Sequence, residues 1–291
     1  MAYIKDRQGI WPVSWLCLAM GVSETGFYKY LKRPAKQDRH AHLLAQIYEV
    51  LKEDEENANY GVKRIFLALV INKSYQGSYS TVLRVCRENG LIIKHKRRPK
   101  SLTRPDARAK RSENLIKQNF TAFAPNTKWL SDITEVPCMD GKLYLAAVLD
   151  CFCGKIVGFC MDDNMRAELC KKAFKSACSK EQASGMLLHS DAGSQYTSKL
   201  FRDAIADLDA LQSMSGIGNC YDNARMESWF ATLKKEKLYK INTRKMTKLE
   251  VKTVIFHYIY YYNLRRIYST NGGYPPEVYR QMYYEELTLA A

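Results

Sequence analysis

The stretch His189–Lys237 contains the segments HSDAGSQY at 189–196 and MSGIGNCYDNARMESWFATLKKEK at 214–237. Asp191 ends a short apolar run at 186–191 that is typical of a strand, and thirty-five residues separate it from Glu227. A helix is predicted around Glu227 because four apolar side chains recur there at helical spacing: Met226, Trp229, Phe230 and Leu233. Glu227 and Lys234 share the neighbouring face of that helix. Asp222 and Asn223 are predicted to cap its start.

Carboxylates on a strand end and a nearby helix can bind divalent cations. Transfer at a phosphodiester places negative charge on the attacking and leaving oxygens, and two cations about 3.5–4 Å apart stabilise both. Mg²⁺ prefers hard oxygen ligands and keeps several waters, so a few carboxylates suffice. Asp132 is the candidate third carboxylate, because it lies in the β-rich run WLSDITEVPC at 129–138. Asp150, which also ends a predicted strand, is the alternative that we do not favour.

The segments around these residues predict a mixed α/β sheet. Strands are expected at WLSDITEVPC, Leu143–Val148 and Ile156–Cys160, with turns near 139–141 and 153–154. A helix (165–180), a strand (186–191), a helix (198–208), a strand (211–214) and the long helix of Glu227 come next. Five strands with antiparallel and crossover connections in this order are the pattern of a ribonuclease-H-like core.

Three motifs make the chain resemble a known family: HSDAGSQYTS, MSGIGNCYDNARMESWFATLKKE and YYNLRRIYSTNGGYPPEVYR, the last at 261–280. Asp132, Asp191 and Glu227 match the DDE triad of the transposase and retroviral-integrase superfamily. Together the motifs resemble the second-frame product (OrfB) of bacterial insertion sequences of the IS-three type. The resemblance covers the chain from about residue 43 onward and is weaker before it.

The resemblance implies a ribonuclease-H-like integrase catalytic core preceded by helical helix-turn-helix units. It implies a DDE-type DNA transposase that cleaves a strand at the element's end, after which the freed 3′ hydroxyl attacks a second phosphodiester. The triad would hold two Mg²⁺ ions, or Mn²⁺ in their place. Element ends, target DNA and further copies of the chain on DNA are the implied partners. Because family members are often made as frameshift fusions, the upstream-frame protein is another.

Charge is distributed unevenly along the 291 residues. Residues 1–119 carry 23 Lys and Arg against 11 Asp and Glu, residues 120–230 carry 11 against 14, and residues 231–291 carry 11 against 5. Basic flanks around an acidic centre predict phosphate contacts beside a carboxylate site, although solvated faces are the alternative.

Composition also bears on the compartment of the protein. Nine cysteines without a C-x-x-C pair are typical of buried thiols in a reducing cytoplasm. No apolar run approaches the ~20 residues of a membrane span, and the N-terminus lacks a secretory apolar core. We therefore expect a cytoplasmic, nucleoid-associated protein.

Five segments are predicted: a helix-turn-helix-like segment (1–36), a second helical, winged-helix-like DNA-binding unit (43–93), a basic linker (94–119), the catalytic core (120–240) and a C-terminal helical extension (241–291). Within the first, Pro12–Arg33 predicts two short helices separated at Gly21-Val22-Ser23, a pattern that ordinary helical hairpins share. His40 and His42 are not followed by a cysteine pair, so no zinc site is predicted.

Eight cations are predicted to contact DNA: Lys94, Lys96, Arg97, Arg98, Arg225, Lys234, Arg265 and Arg266. The first four belong to the segment 94–111, which contains nine Lys or Arg. Counterion release favours DNA binding by such a segment, and a solvated linker is the alternative. The tyrosines of 258–262 can stack on unpaired bases, but packing on the core is favoured. His189 either contacts the scissile phosphate or packs within its strand.

Two other functions are compatible with parts of the sequence. A non-catalytic DNA-binding regulator derived from a transposase would use the basic flanks alone, but the intact triad argues against it. A simple ribonuclease-H-type nuclease would not need helix-turn-helix units or long basic flanks.

Overall fold

The computed structural model describes residues 1–32, 40–93, 112–216 and 220–290. The chain forms two compact units, Met1–Ala45 and Gln46–Ala291. Lys94, Lys96, Arg97 and Arg98 of the predicted linker lie outside the described residues.

The first unit contains helices α1 (Ala2–Arg7), α2 (Val13–Ala19) and α3 (Glu24–Leu31). The two helices predicted in Pro12–Arg33 are confirmed, and the Ser23 side chain caps α3 by accepting a hydrogen bond from the Gly26 N–H at 3.1 Å. Ile4, Cys17 and Phe27 form the core. Trp15 and Leu18 lie outside this core and are 65% and 84% exposed.

Helix α4 (Ala41–Lys52), a 3₁₀ turn (Glu55–Asn59), α5 (Val62–Lys73) and α6 (Tyr79–Glu88) come next. Helices make up most of the predicted second unit, and residues 91–93 belong to no strand, so the winged-helix-like interpretation of 43–93 stays a prediction. The segment 54–66 is also bonded to the C-terminal helices. The Tyr261 hydroxyl donates to Asn57 Oδ1 at 3.0 Å, and the Ile267 N–H donates to the Tyr60 hydroxyl at 3.0 Å. Residues 46–93 therefore do not stand apart from the core.

A five-stranded sheet organises the larger unit. Its strands are β1 (Lys128–Cys138), β2 (Gly141–Asp150), β3 (Ile156–Asp162), β4 (Leu187–Ser190) and β5 (Leu211–Met214), in the order β3-β2-β1-β4-β5. The first three strands pair antiparallel, whereas β4 is parallel to both β1 and β5. The predicted mixed ribonuclease-H-like sheet is confirmed.

Both faces of the sheet are covered by helices. Helices α7 (Ala167–Glu181), α8 (Ser194–Thr197) and α9 (Lys199–Ala206) lie between strands, and α7 and α9 pack on the face that carries Trp129, Ala146 and Val148. Helix α10 (Ala224–Leu233), preceded by a 3₁₀ turn (Cys220–Asn223), and α11 (Lys248–Leu264) pack on the opposite face.

The helix of Glu227 does not continue regularly through the KKEK segment at 234–237. α10 ends at Leu233, and Lys234–Leu238 forms a π-helical turn. Helix α11 begins with a capping box between Thr247 and Glu250, and α12 (Pro276–Ala290) closes the described chain. Among the described residues, no helix has the length and apolar character needed to span a membrane.

Candidate active site

The sheet register brings Asp132 and Asp191 side by side. Ser131 of β1 pairs with Ser190 of the parallel strand β4, so the next residue on each strand is an aspartate. Asp132 alternates onto the same face as Leu130 and Val136, which pack against α10. Glu227 lies in the first turn of α10 and is exposed. Asp132 within β1, Asp191 just after the end of β4 and Glu227 on α10 thus lie close enough for the charges of Asp191 and Glu227 to act on Asp132.

The electrostatics of Asp132 indicate crowded negative charge. Burial, together with the nearby charges of Asp191 and Glu227, raises the pKa of the Asp132 carboxyl to about 8. Its Oδ1 accepts a hydrogen bond from the Ile133 N–H at 2.7 Å, which opposes the shift. Burial also raises the pKa of Asp191, against a 3.1 Å hydrogen bond from the Gly193 N–H, and partial desolvation raises that of Glu227.

Lys234 is a cation whose charge lowers the pKa of Asp132. Burial lowers the pKa of its ammonium, while the charges of Asp132 and Glu135 oppose that shift. The side chain is half-buried and lies at the start of the π-helical turn. Lys234 and Glu227 therefore both lie near Asp132, as the helical spacing predicted.

Two hydrogen bonds to Ser131, the residue before Asp132, hold the site in place. The Tyr196 hydroxyl lies 3.0 Å from Ser131 Oγ, and Asn223 Nδ2 donates to the Ser131 carbonyl at 3.4 Å. Tyr196 is 1% exposed. Sequence reasoning assigned no role to Tyr196, although it ends the HSDAGSQY motif.

His189 is a packed strand histidine. Its Nδ1 lies 2.8 Å from Ser213 Oγ and its Nε2 lies 3.1 Å from Ser215 Oγ. Burial lowers the pKa of His189 to about 4, with the charge of Asp222 opposing, so the ring is neutral at pH 7. Both ring nitrogens are thus already bonded within the protein, which favours the packing interpretation over a phosphate contact.

The predicted cap of α10 by Asp222 and Asn223 is wrong. Asn223 occupies the N-cap position, but its side chain makes no capping hydrogen bond. The buried Asp222 carboxylate instead accepts from Asn114 Nδ2 at 2.8 Å and from the Gly216 N–H at 3.2 Å. Asp222 therefore joins the segment before β1 to the loop after β5.

Asp150 has a structural role, consistent with the choice of Asp132 over it. Its carboxylate is fully buried and accepts hydrogen bonds from Arg280 at 2.7 Å, from the Asn126 N–H at 3.0 Å and from the Phe152 N–H at 2.9 Å.

The predicted DNA-contact cations differ in their surroundings. Arg266 as a surface DNA contact is wrong, because it is 3% exposed and donates from Nε and Nη2 to Glu236 at 2.8 Å each. Arg225 is half-buried and donates to the carbonyls of Phe120 and Cys151. Arg265 is exposed and pairs with Asp54 at 3.0 Å. The tyrosines follow the packing interpretation, since Tyr258, Tyr261 and Tyr262 are buried, whereas Tyr260 is 56% exposed.

The donor chemistry at this edge suits a hard divalent cation, because all three side chains offer carboxylate oxygens. In the ranges that the structure describes, however, no three His, Cys, Asp or Glu side chains already converge to hold a metal ion. Asp132 and Asp191, adjacent in the sheet, are the pair from which such a site can be built, and Glu227 faces them from the helix.

The amino-acid sequence is similar to integrase core domains and to transposases. Residues 122–220 and 227–284 each match an integrase core domain family. The chain is 38% identical over 248 residues to the transposase for insertion sequence element IS904 of Lactococcus lactis, covering 82% of this chain and 93% of that protein. It is 29% identical to transposase InsF for insertion sequence IS3A of Escherichia coli, covering 94% and 96%.

Among solved structures, the chain is similar to the catalytic core domain of HTLV-2 integrase in complex with magnesium. That match has 18% identity and a TM-score of 0.42, and it covers 53% of this chain and 95% of that one.

The fold and the matched core domains define a polynucleotidyl transferase of the integrase-core class. The chain belongs to the transposases of bacterial insertion sequences of the IS3 type.

Proposed function

We propose that Asp132, Asp191 and Glu227 are the catalytic residues with which this transposase cleaves and transfers DNA strands. The observation that supports this most is the register of β1 and β4, which sets Asp132 beside Asp191 while α10 presents Glu227 to the same edge. The raised pKa of Asp132 adds to this support, because crowded carboxylates are typical of sites that become stable only when a cation is bound.

The reaction consists of two phosphoryl transfers. In the first, water attacks a phosphodiester at the element's end, the P–O bond to the 3′ oxygen breaks, and that oxygen leaves as a 3′ hydroxyl. In the second, this hydroxyl attacks a phosphodiester of the target, and the displaced target oxygen takes up the proton. No covalent bond to the protein is needed.

The three carboxylates share one task in this proposal, and Lys234 has another. The carboxylates of Asp132, Asp191 and Glu227 would hold divalent cations, Mg²⁺ by preference and Mn²⁺ as a substitute, with two ions per site. Bound cations stabilise charge on the attacking and leaving oxygens. Lys234, half-buried beside Asp132, is placed to neutralise DNA phosphate next to the reacting group.

The proposed partners are consistent with the same chemistry. Element ends and target DNA are the substrates, and further copies of the chain assemble on them. The upstream-frame protein, or a fusion with it, is a further candidate, because the residues described contain no leucine-heptad coiled coil that would supply dimerisation.

Single substitutions test the triad. Asp132→Asn, Asp191→Asn and Glu227→Gln are each expected to lower Mg²⁺-dependent cleavage of a labelled element end by at least a hundredfold. Circular dichroism and DNA binding should change little. Asp203→Asn, an exposed carboxylate on α9, is the matched control and should cleave normally. Wild-type cleavage by any one of the three variants would remove that residue from the site.

A further inference from the structure

A polar cavity lies beside helix α10, on a different face of the helix from Glu227. It has a volume of about 190 Å³. Helix α10 contributes Arg225, Ser228, Trp229 and Thr232, which recur at helical spacing one face round from Glu227. Arg64 of α5 and Arg266 after α11 line it as well. At ~30 Å³ per water, this volume corresponds to roughly six water molecules, enough for one phosphate group.

The cavity walls carry more positive than negative charge. Glu236 accepts a hydrogen bond from Arg64 at 2.9 Å and two from Arg266, so one carboxylate is shared by two guanidinium groups. Arg225 donates to backbone carbonyls, and within the described part of the chain no carboxylate lies within ion-pair distance of it. Three arginines and one glutamate leave a surplus of two positive charges.

Free donors accompany this charge. Each guanidinium carries five N–H groups. Arg64 bonds Glu236 through one nitrogen, and Arg225 bonds two backbone carbonyls through one nitrogen and also interacts with the Tyr268 side chain, so each guanidinium keeps further N–H donors. Ser228 is exposed. Trp229, 3% exposed, has an indole N–H that finds no partner among the described residues. A cavity with surplus positive charge and unused N–H and O–H donors favours an oxyanion.

We propose that this cavity binds a phosphate group through Arg64, Arg225 and Ser228, while Arg266 contributes charge but stays bonded to Glu236. Given the proposed function, the phosphate belongs to the DNA backbone and is not the scissile one, because Glu227 points from a different face of α10. Free inorganic phosphate shares the same chemistry and is the other source that the test distinguishes.

Calorimetric titration of inorganic phosphate tests the cavity directly, with metal-free protein at pH 8 and constant ionic strength. Saturable millimolar or tighter binding is expected for the wild type. Arg64→Gln and Thr232→Glu should each weaken it at least tenfold, the second by placing a carboxylate in the cavity. Lys63→Gln removes a charge from the neighbouring exposed residue. Thr253→Glu is the matched control for Thr232→Glu. Each threonine lies in a helix and donates from its hydroxyl to the carbonyl four residues earlier, Thr253 at 3.1 Å and Thr232 at 2.9 Å. Both controls should bind normally.

Absence of saturable phosphate binding by the wild type, or equal loss in Lys63→Gln, would overturn the proposal.

The second experiment measures how the binding of an element-end duplex depends on salt concentration. Arg64→Gln and Thr232→Glu should flatten the slope of log K against log salt by about 0.9, the contribution of one phosphate. Thr253→Glu should leave the slope unchanged. Loss of phosphate binding with an unchanged slope would overturn the DNA source and leave a free-anion site. Neither arm measures cleavage, so failure of the catalytic proposal would not affect either result.

Discussion

At the scale of single residues, Asp132 shows how the site conflicts with stability. Its carboxylate is ionised in the unfolded chain above about pH 4, but burial, Asp191 and Glu227 raise its pKa in the folded chain to about 8. Between these values the unfolded state releases its proton more readily than the folded state. Folding stability therefore falls as pH rises from about 4 to 8. A bound cation reverses this cost, because it compensates the negative charge that the protein alone leaves uncompensated.

Asp132→Asn is consequently expected to stabilise the metal-free protein while it abolishes cleavage. At pH 8 the gain should reach at least ~1 kcal/mol, or about 2–4 °C in Tm. Near pH 4 it should vanish, since the wild-type carboxyl is then protonated in the folded state. Thermal unfolding in chelator from pH 4 to pH 8 measures this, with Asp203→Asn as an exposed control that should follow the wild type. A less stable Asp132→Asn at pH 8 would contradict the expectation.

Gly158 of β3 shows a second constraint on a single residue. A Cβ there would lie 2.5 Å from the Ala173 carbonyl oxygen and 2.6 Å from the Ala177 Cβ. The backbone of α7 therefore packs directly against the backbone of β3 at Gly158. Gly158→Ala should destabilise the protein by about 1–3 kcal/mol, because backbone on both sides must move. Gly9→Ala, where an added Cβ meets no atom within 4 Å, is the control. Denaturant unfolding with equal midpoints for both variants would argue against this close approach.

At the scale of elements, the π-helical turn Lys234–Leu238 changes which side chains face inward after α10 ends. It turns Glu236 inward, to 6% exposure, while Lys234 stays beside Asp132. Glu236 then accepts hydrogen bonds from Arg64, Arg266 and the Tyr258 hydroxyl, which ties α5, α10 and α11 together. Burial would raise the pKa of Glu236, but Arg266 and Arg64 more than offset it, and the pKa is lowered.

Glu236→Gln should destabilise the protein by about 3–5 kcal/mol, because it leaves Arg266 buried without a counter-charge. The wild type has a related pH dependence. Since the pKa of Glu236 is lowered on folding, its contribution is complete above the unfolded value of 4.5 and is lost as pH falls through the folded value. Urea unfolding at pH 7 tests the substitution against Glu285→Gln, an exposed position on α12. Equal stability of the two variants would mean that the network contributes little.

These elements also show what sequence can and cannot predict. The order of strands and helices could be predicted from period-two and helical spacing, because those patterns express burial. The same spacing also placed Asp132 within β1, Asp191 just after β4 and Glu227 on α10. The inward position of Glu236 could not be predicted, since KKEK has the composition of a solvated helix and the π turn depends on tertiary partners. For the same reason Arg266 was predicted to be a surface cation. A buried ion pair leaves no periodicity in the sequence.

At the scale of the whole molecule, segments that were predicted as separate are joined. Besides the bonds at Asn57 and Tyr60, Lys237 pairs with Glu55 at 3.0 Å and with Glu56, and Arg265 pairs with Asp54. Asp54, Glu55 and Glu56 therefore bind basic side chains of the C-terminal region. That leaves the basic segment 94–111, which lies outside the described residues, as the densest unassigned positive charge in the sequence.

Neutralising Lys94, Lys96, Arg97 and Arg98 together should weaken binding of element-end and random duplexes about equally, because phosphate contacts carry no sequence information. If all four contact phosphates, the slope of log K against log salt should flatten by about 3.6, at roughly 0.9 per contact. The control neutralises Lys172, Lys175 and Lys199 on α7 and α9, which cover the face of the sheet opposite Asp132. Their loss should leave the slope unchanged, although it changes net charge by a similar amount. If both sets of changes flatten the slope equally, the effect is one of net charge alone, and the basic segment is only a solvated linker.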